Sequence, residues 1–196
     1  MKVVIIKYNA GNVQSVLFAL ERIGVKGILS DNSREIQSAD KVIFPGVGEA
    51  SSAMQYLKEK KLDKVIKNLK QPTLGICLGM QLMCNHSEEG DTDCFGIFPM
   101  EVKKFFTTLK EEKIPQIGWN TVLSLKGKVF EGIKENEYMY FVHGYYAEKG
   151  NHTIATTNYI LEYSSALQKN NFYGVQFHPE KSSEAGQKLL ENFLKL

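Results

Sequence analysis

Short apolar runs alternate with helical patterns along the first half of the chain. Residues 3–6 form a β-branched apolar run, typical of a strand that is buried on both faces. A turn is predicted at residues 9–12, and apolar residues then recur at helical spacing until Gly24 predicts the helix end. The same patterns predict strands at 25–29, 41–44 and 73–77 and a mostly helical segment at 54–69.

Strand-like runs dominate the second half, with turn residues between them and little helical pattern. They lie at 101–105, 121–125, 138–142, 153–157 and 172–176, before a final amphipathic helix that includes Leu189 and Phe193. Strand–helix alternation favours a parallel sheet with helices on both faces. We therefore predict an α/β fold with an open, mostly parallel central sheet flanked by helices, antiparallel additions in the C-terminal half, and one domain over residues 1–196.

Composition narrows the class of protein. The 196 residues are 43% hydrophobic and 23% charged with a formal net charge of +2, which is ordinary for a globular chain and predicts neither a nucleic-acid nor a membrane partner. The apolar runs are too short for a signal peptide or a membrane span. Three cysteines without a C-x-x-C pair predict no disulfide framework and no metal site, so we expect a cytoplasmic protein.

The sequence Gly75-Ile76-Cys77-Leu78-Gly79 lies where a predicted buried strand passes into a helix. This arrangement is typical of a nucleophile elbow, in which flanking glycines make room for a sharp turn that presents the nucleophile. The helix dipole would favour a thiolate at Cys77, and the Leu78 N–H could face a developing oxyanion. Taken alone, the five residues are equally compatible with a small buried cysteine in a glycine-flanked turn.

A second pattern supplies the base that a cysteine nucleophile needs. His178 and Glu180 lie two residues apart, and Pro179 favours extended geometry, so both side chains can converge on one point. A lone H-x-E is more often a solvated pair. Combined with the elbow at Cys77, it favours a nucleophile, a base and a group that orients the base.

The other cysteines and histidines favour structural interpretations. Cys84 and Cys94 are expected to pack as small hydrophobic residues. His86 and His152 lie in polar stretches and are expected to be solvated. His143 follows an apolar strand and could line a site or satisfy a hydrogen bond in the core, and the pattern slightly favours the second role.

Three segments together resemble the signatures of class I glutamine amidotransferases. They are P-G-V-G at 45–48, G-I-C-L-G-M-Q at 75–81 and Q-F-H-P-E-K-S at 176–182. With I-G-W-N at 117–120, these motifs are most similar to those of the glutaminase subunits of imidazole glycerol phosphate synthase, an enzyme of histidine biosynthesis. The resemblance covers essentially the whole chain.

This resemblance implies the hydrolysis of glutamine to glutamate and ammonia, with no metal and no organic cofactor. Cys77 would be the nucleophile, His178 the general acid and base, and Glu180 its partner. The oxyanion hole would use backbone N–H groups of Leu78 and of the peptide that joins Val47 and Gly48, in a loop that rearranges on activation.

The resemblance also implies how substrate and partner are bound. The substrate-binding residues would be Gly46, Gln81, Glu89, Gly144 and Tyr145, with Glu89 facing the α-amino group of glutamine. The partner would be a (β/α)8-barrel cyclase subunit, which receives ammonia through an internal channel in a heterodimer. The residues expected to face it are Asn12, Trp119 and Asn120.

The chain departs from the family pattern at two places, of which the one at Gly144 is minor because a backbone contact survives there. The family usually reads D-Y-G where this chain has Lys7-Tyr8-Asn9, and Ser or Thr where it has Gly144. The first departure affects the partner surface and would suit the same glutaminase chemistry in the service of another synthase, such as a sugar amidotransferase. A peptidase or amidase built on the same elbow is a second alternative, but Glu180 together with Gln81 and Glu89 favours glutamine. A non-catalytic regulatory module is a third, and the intact set of Cys77, His178 and Glu180 argues against it.

Overall fold

The computed structural model describes residues 1–9 and 12–196, so Ala10 and Gly11 of the predicted turn lie outside the described residues. Within that part of the chain, the helices are α1 (Val13–Arg22), α2 (Ser33–Gln37), α3 (Ala50–Glu59), α4 (Leu62–Lys67), α5 (Leu78–Leu82) and α6 (Ser183–Leu194). The strands are β1 (Val3–Ile6), β2 (Gly27–Ser30), β3 (Lys41–Gly46), β4 (Thr73–Cys77), β5 (His86–Ser87), β6 (Thr92–Asp93), β7 (Glu101–Lys104), β8 (Gln116–Val122), β9 (Glu137–His143), β10 (Tyr145–Ala147), β11 (Thr153–Tyr159), β12 (Leu161–Lys169) and β13 (Phe172–Val175). Single 3-10 turns lie at Lys128–Phe130 and Pro179–Lys181.

One large sheet organises the molecule. Its strand order is β2-β1-β3-β4-β13-β12-β10-β7-β5-β6, with β11 paired to β12. The strands from β2 to β13 in this order run parallel, whereas β12 is antiparallel to β13, β11 and β10. Strands β8 and β9 form a separate antiparallel ribbon. The predicted α/β fold, with a parallel centre and antiparallel additions from the second half, is confirmed.

The parallel strands bury both of their faces. Successive side chains of β1 point to opposite sides, so Val4 packs in one core with α3 and α4, and Val3 packs in the other with α1 and α6. The helical spacing from Val16 to Leu20 and from Leu189 to Phe193 buries one stripe of each helix against this sheet. Two layers of helices therefore hold the central strands rigidly.

Strand β3 continues further than its sequence predicts. We expected Pro45 and Gly46 to end it at residue 44, but both still pair with β4. Proline has no N–H to donate, but at position 45 that group would point towards β1 and not towards β4. It is tolerated there because the pairing of β3 with β1 has already ended at Ile43. The extra two residues bring the following glycine-rich loop directly beside Cys77.

Other boundaries differ for local reasons. The segment at 54–69 is two helices, because Lys61 adopts a left-handed conformation (φ +57°) between them. The strand predicted at 121–125 lies at Gln116–Val122, and β10 and β12 were not predicted. Strand β12 is buried around Ser164 and Ser165, polar residues that conceal its burial in the sequence.

Candidate active site

The carboxyl ends of three adjacent parallel strands form the site. In the sheet register, Gly46 of β3 lies beside Cys77 of β4, and Val175 of β13 lies beside Ile76. The chain segments that leave these strands therefore emerge side by side. This register brings together the glycine loop, the cysteine elbow and the histidine–glutamate motif, at the edge where open α/β sheets bind ligands.

Cys77 lies at a strained turn between β4 and α5. Its backbone has φ +53° and ψ −112°, which a non-glycine residue adopts only when its surroundings enforce it. The flanking glycines make this possible: a Cβ on Gly75 would lie 2.8 Å from backbone atoms of Gly79 and Met80, and one on Gly79 would lie 1.9 Å from the Phe44 carbonyl oxygen. The predicted elbow geometry is present.

We expect Gly79→Ala to lower the free energy of unfolding by about 3 kcal/mol or more, because the added methyl group would collide with rigid backbone in β3. Gly150→Ala is the matched control, since its Cβ would meet only the flexible end of Met100, at 3.3 Å, and should cost less than about 1 kcal/mol. Urea unfolding of both variants measures the difference. Equal losses would contradict the role given to the close approach at Gly79.

His178 and Glu180 form a buried pair next to the cysteine. The His178 Nδ1 and Glu180 Oε1 atoms are 2.8 Å apart, and the two residues are 2% and 7% exposed. The short turn Pro179–Lys181 carries Glu180, and the His178 N–H donates to the Tyr140 carbonyl at 2.9 Å, which fixes the backbone. The Asn12 amide donates to the same Glu180 oxygen at 3.4 Å. The imidazole is thus held in one orientation.

The charges of this group favour a protonated histidine. Burial lowers the pKa of His178, but its hydrogen bonds and charge interactions with Cys77 and Glu180 outweigh burial and raise the pKa to about 10. The neighbouring His143 shows the opposite behaviour. Burial, opposed by a hydrogen bond to the Tyr145 carbonyl and assisted by the His178 charge, lowers its pKa to about 4. One histidine is therefore charged and the other neutral at neutral pH.

A cavity of about 160 Å³ opens onto the cysteine. Four of the five predicted substrate-binding residues line it, whereas Gly46 lies in β3 beside Cys77 and is not part of the lining. Two of the predicted oxyanion-hole residues come from the glycine loop, in which Gly48 has φ +121°. The lining consists of Val47, Gly48, Cys77, Leu78, Gln81, Glu89, Val142, His143, Gly144 and Tyr145.

Two polar side chains in this cavity are already oriented by the protein. The Gln81 Nε2 donates to the Tyr145 carbonyl at 3.0 Å and to Gln176 Oε1 at 2.9 Å. Glu89 Oε2 accepts from the Ala50 N–H at 2.9 Å. Partial burial raises the pKa of Glu89, and the Ala50 hydrogen bond opposes this shift. A cationic partner would therefore stabilise the ionised form of its carboxyl group.

Two residues at the site were not singled out from the sequence. Gln176 donates from Nε2 to Cys77 Sγ at 3.6 Å, and the Tyr8 hydroxyl donates to the Pro45 carbonyl at 2.7 Å, at the base of the glycine loop. Gln176 lies two residues before His178, so the two-residue spacing from which we predicted the His178–Glu180 pair could also have found Gln176. Tyr8 has no such signal, because only the sheet register brings β1 and β3 together.

The residues expected to face a partner divide into two kinds. Trp119 is 52% exposed and stacks edge-on against Tyr140, with 5.9 Å between ring centroids. Asn120 is half-buried and donates to the Asn158 carbonyl at 2.9 Å, which commits it to its own chain. Asn12 is likewise committed, through its hydrogen bond to Glu180. A surface cleft of about 580 Å³ lies next to Trp119, between the ribbon and the start of α6.

The remaining candidates have structural surroundings. Burial raises the pKa of Cys84 and of Cys94, as expected for packed thiols. His86 and His152 are half-buried instead of solvated, because His86 pairs with Asp91 at 2.9 Å and His152 bonds to a backbone carbonyl. The described residues contain no cluster of potential metal ligands. Of the helices described, none combines the length and the apolar character that a membrane crossing requires.

Comparison with known proteins identifies the family of the chain. The family model for glutamine amidotransferase class-I matches residues 4–196. Imidazole glycerol phosphate synthase subunit HisH of Bacteroides fragilis (strain YCH46) is 55% identical over 196 residues, which cover all of both chains. Subunit HisH 1 of Vibrio vulnificus (strain YJ016) is 46% identical over 202 residues, which cover all of this chain and 98% of the relative.

Solved structures show the same fold at lower identity. PurLQS from Thermotoga maritima has a TM-score of 0.71 and 16% identity, with 99% of this chain and 97% of that chain covered. A glutamine amidotransferase from the same organism has a TM-score of 0.63 and 17% identity, with 100% and 83% covered. The chain thus belongs to the class I glutamine amidotransferase family and, within it, to the family of the HisH subunits of imidazole glycerol phosphate synthase.

Proposed function

We propose that this chain is the glutaminase subunit of an imidazole glycerol phosphate synthase and hydrolyses glutamine to glutamate and ammonia. The observation that carries the proposal is the strained Cys77 facing His178, whose imidazole is held by Glu180 at 2.8 Å. Residues 1–196 form a single amidotransferase domain in this proposal, since one sheet contains all the described strands except β8 and β9 and includes both β1 and β13. The three free thiols suit the reducing cytoplasm.

The first half of the reaction forms a thioester. The Cys77 thiolate attacks the carboxamide carbon of glutamine, and the carbonyl electrons move to oxygen. Backbone N–H groups at Leu78 and in the glycine loop stabilise this oxyanion, and one such donor is typically worth about 3 to 4 kcal/mol. His178 then protonates the departing nitrogen, which leaves as ammonia.

The second half releases glutamate. His178, now neutral, removes a proton from water, the water oxygen attacks the thioester carbon, and the carbon–sulfur bond breaks with its electron pair on sulfur. Glu180 keeps Nδ1 protonated and stabilises the imidazolium in both halves. The residues present complete the reaction with acid–base and nucleophilic groups alone.

Recognition of glutamine follows from the groups that remain free to bind it. Glu89 would pair with the α-ammonium group, which offsets the burial of its carboxylate. The NH₂ group of Gln81 is committed to the protein, so Gln81 would offer its amide oxygen. The carbonyls of Gly144 and Tyr145 already accept protein hydrogen bonds, so backbone contacts there would use N–H groups.

The exposed face of the β8–β9 ribbon supports a docking site for the barrel subunit. Ile117, Trp119 and Tyr138 are 65%, 52% and 56% exposed and lie on one face of the ribbon. The Val142 carbonyl on the same ribbon accepts from Cys77 Sγ at 3.7 Å. A partner bound here would lie close to the nucleophile, which shortens the path for ammonia.

The test is glutamate formation from glutamine by the chain alone and with the barrel subunit plus its nucleotide substrate. We expect stimulation of about tenfold or more in the complex, because free ammonia is wasted unless hydrolysis is coupled to its use. Hydrolysis without stimulation would support the glutaminase activity but indicate that the chain serves another synthase, such as a sugar amidotransferase. Absence of hydrolysis in both assays would refute the proposed reaction.

Trp119→Ala should weaken binding of the barrel subunit about 30-fold, since an exposed tryptophan at the centre of an interface is typically worth about 2 kcal/mol or more. Leu29→Ala on the edge strand β2 is the control, with a side chain that is 40% exposed, and should leave the affinity within about twofold. Calorimetric titration measures both. Equal affinities for Trp119→Ala and the unmodified chain would place the partner elsewhere.

A further inference from the structure

A backbone carbonyl fixes the direction of the hydrogen bonds behind the nucleophile. The Tyr145 carbonyl oxygen lies 3.0 Å from Gln81 Nε2 and 2.7 Å from His143 Nδ1. A carbonyl oxygen can only accept, so both side chains must present an N–H to it. This requirement assigns the amide orientation of Gln81 without reference to its other neighbours.

The orientation of Gln81 in turn fixes that of Gln176. The same Gln81 NH₂ group lies 2.9 Å from the Gln176 amide. Two NH₂ groups cannot hydrogen-bond to each other, so Gln176 must turn its oxygen towards Gln81. Its own NH₂ group then faces Cys77 Sγ at 3.6 Å. Gln176 is fully buried, so water does not reach its amide group.

We propose that Gln176 is a further catalytic residue, whose Nε2–H donates a hydrogen bond to the Cys77 sulfur and stabilises its anionic form. Alternation along the chain delivers Gln176 and His178 together to the nucleophile. The inference rests on the proposed glutaminase function and adds Gln176 to His178 as a second hydrogen-bond donor to the Cys77 sulfur. It concerns the sulfur itself and is separate from the groups that hold the substrate.

This donor acts where sulfur carries negative charge. It stabilises the thiolate before the attack, and it stabilises the electron pair that returns to sulfur when water cleaves the thioester. Hydrogen bonds to charged groups are stronger than those between neutral groups, and the donor here is fully buried. Its loss should therefore affect both the reactivity of the thiol and the turnover of glutamine.

The experiment compares Gln176→Met, which keeps the approximate shape without the donor, with Gln176→Glu, which keeps the length and places an oxygen near the sulfur. The rate of Cys77 alkylation by iodoacetamide is measured against pH, by mass spectrometry of the peptide that contains Cys77. We expect the midpoint of this profile to rise by about one pH unit in Gln176→Met and at least as far in Gln176→Glu. Turnover of glutamine in the complex with the barrel subunit should fall about tenfold or more.

Gln55→Met on α3 is the control for the chemical change, since this exposed glutamine bonds only to Glu59 at 3.0 Å. Its alkylation profile and turnover should match those of the unmodified chain. A folded Gln176 variant in which the midpoint of the alkylation profile and the turnover are both unchanged would overturn the inference, and the proposed glutaminase function would still stand. A shifted midpoint in a chain that hydrolyses no glutamine in any complex would support the sulfur donor and refute the proposed function.

Discussion

Glutamine hydrolysis by Cys77→Ala falls to about one part in 10⁴ or less of the unmodified rate, because no other group can form the thioester. Of the three cysteines, Cys77 alone lines the cavity, and burial raises the pKa of the other two. The measurement is glutamate formation in the presence of the barrel subunit and its nucleotide substrate. The residual rate would reflect binding and the oxyanion donors.

Two controls separate lost chemistry from lost structure. Cys84→Ala makes the same substitution at a buried cysteine, and it should retain turnover within about twofold. With added ammonia and the nucleotide substrate, the complex that contains Cys77→Ala should still support the synthase reaction, because in the proposed function the barrel subunit takes only ammonia from this chain. Full glutamine hydrolysis by Cys77→Ala would eliminate the proposed mechanism.

Glu180→Gln should lower turnover about 10³-fold while the chain remains folded. The carboxylate raises the pKa of His178, so its replacement by a neutral amide lowers that pKa. A smaller fraction of the enzyme then holds the proton that departing ammonia needs. The alkaline limb of the pH profile of kcat/KM should accordingly move to lower pH.

Glu184→Gln is the matched control for this charge. It lies four residues along the same segment, at the exposed start of α6, and should change neither turnover nor the pH profile. Circular dichroism of both variants verifies the fold. If Glu180→Gln kept the unmodified turnover and the unmodified alkaline limb, Glu180 would be only a structural residue.

Local sequence determines much of the site, because each motif lies at the end of one strand. The elbow at Cys77 follows from two glycines and a buried run. The spacing of His178 and Glu180 around a proline correctly brought the two side chains together, although the chain reaches Glu180 through a short 3-10 turn and not in the extended geometry that we expected. Which motifs meet could not be derived in this way. That depends on the sheet register, in which β3 pairs with β4 across about 30 residues of sequence and β4 pairs with β13 across about a hundred.

The wrong predictions for strands β8 and β12 and for His152 have related physical causes. The sequence did not predict strand β12 because its buried serines break the apolar pattern. The predicted position of β8 was displaced along the chain because Ile117 and Trp119 are apolar yet exposed. His152 was expected in water because its neighbours in sequence are polar, but its ring bonds to the Gln168 carbonyl on another strand. Tertiary pairing overrode local composition in each case.

The loop after β1 has two sides with different freedom to evolve. Tyr8 and Asn12 point inward, to the Pro45 carbonyl and to Glu180, so substitutions there would disturb the glycine loop or the triad. Lys7 and Asn9, where the chain departs from the usual family sequence, are exposed, and the contact of Asn9 with its own chain is a single long hydrogen bond to the Ser52 carbonyl at 3.3 Å. Mutational drift can therefore change Lys7 and Asn9 to suit a different barrel subunit, while selection for ammonia production preserves Tyr8 and Asn12. This difference offers a route by which one glutaminase diversifies into several lineages.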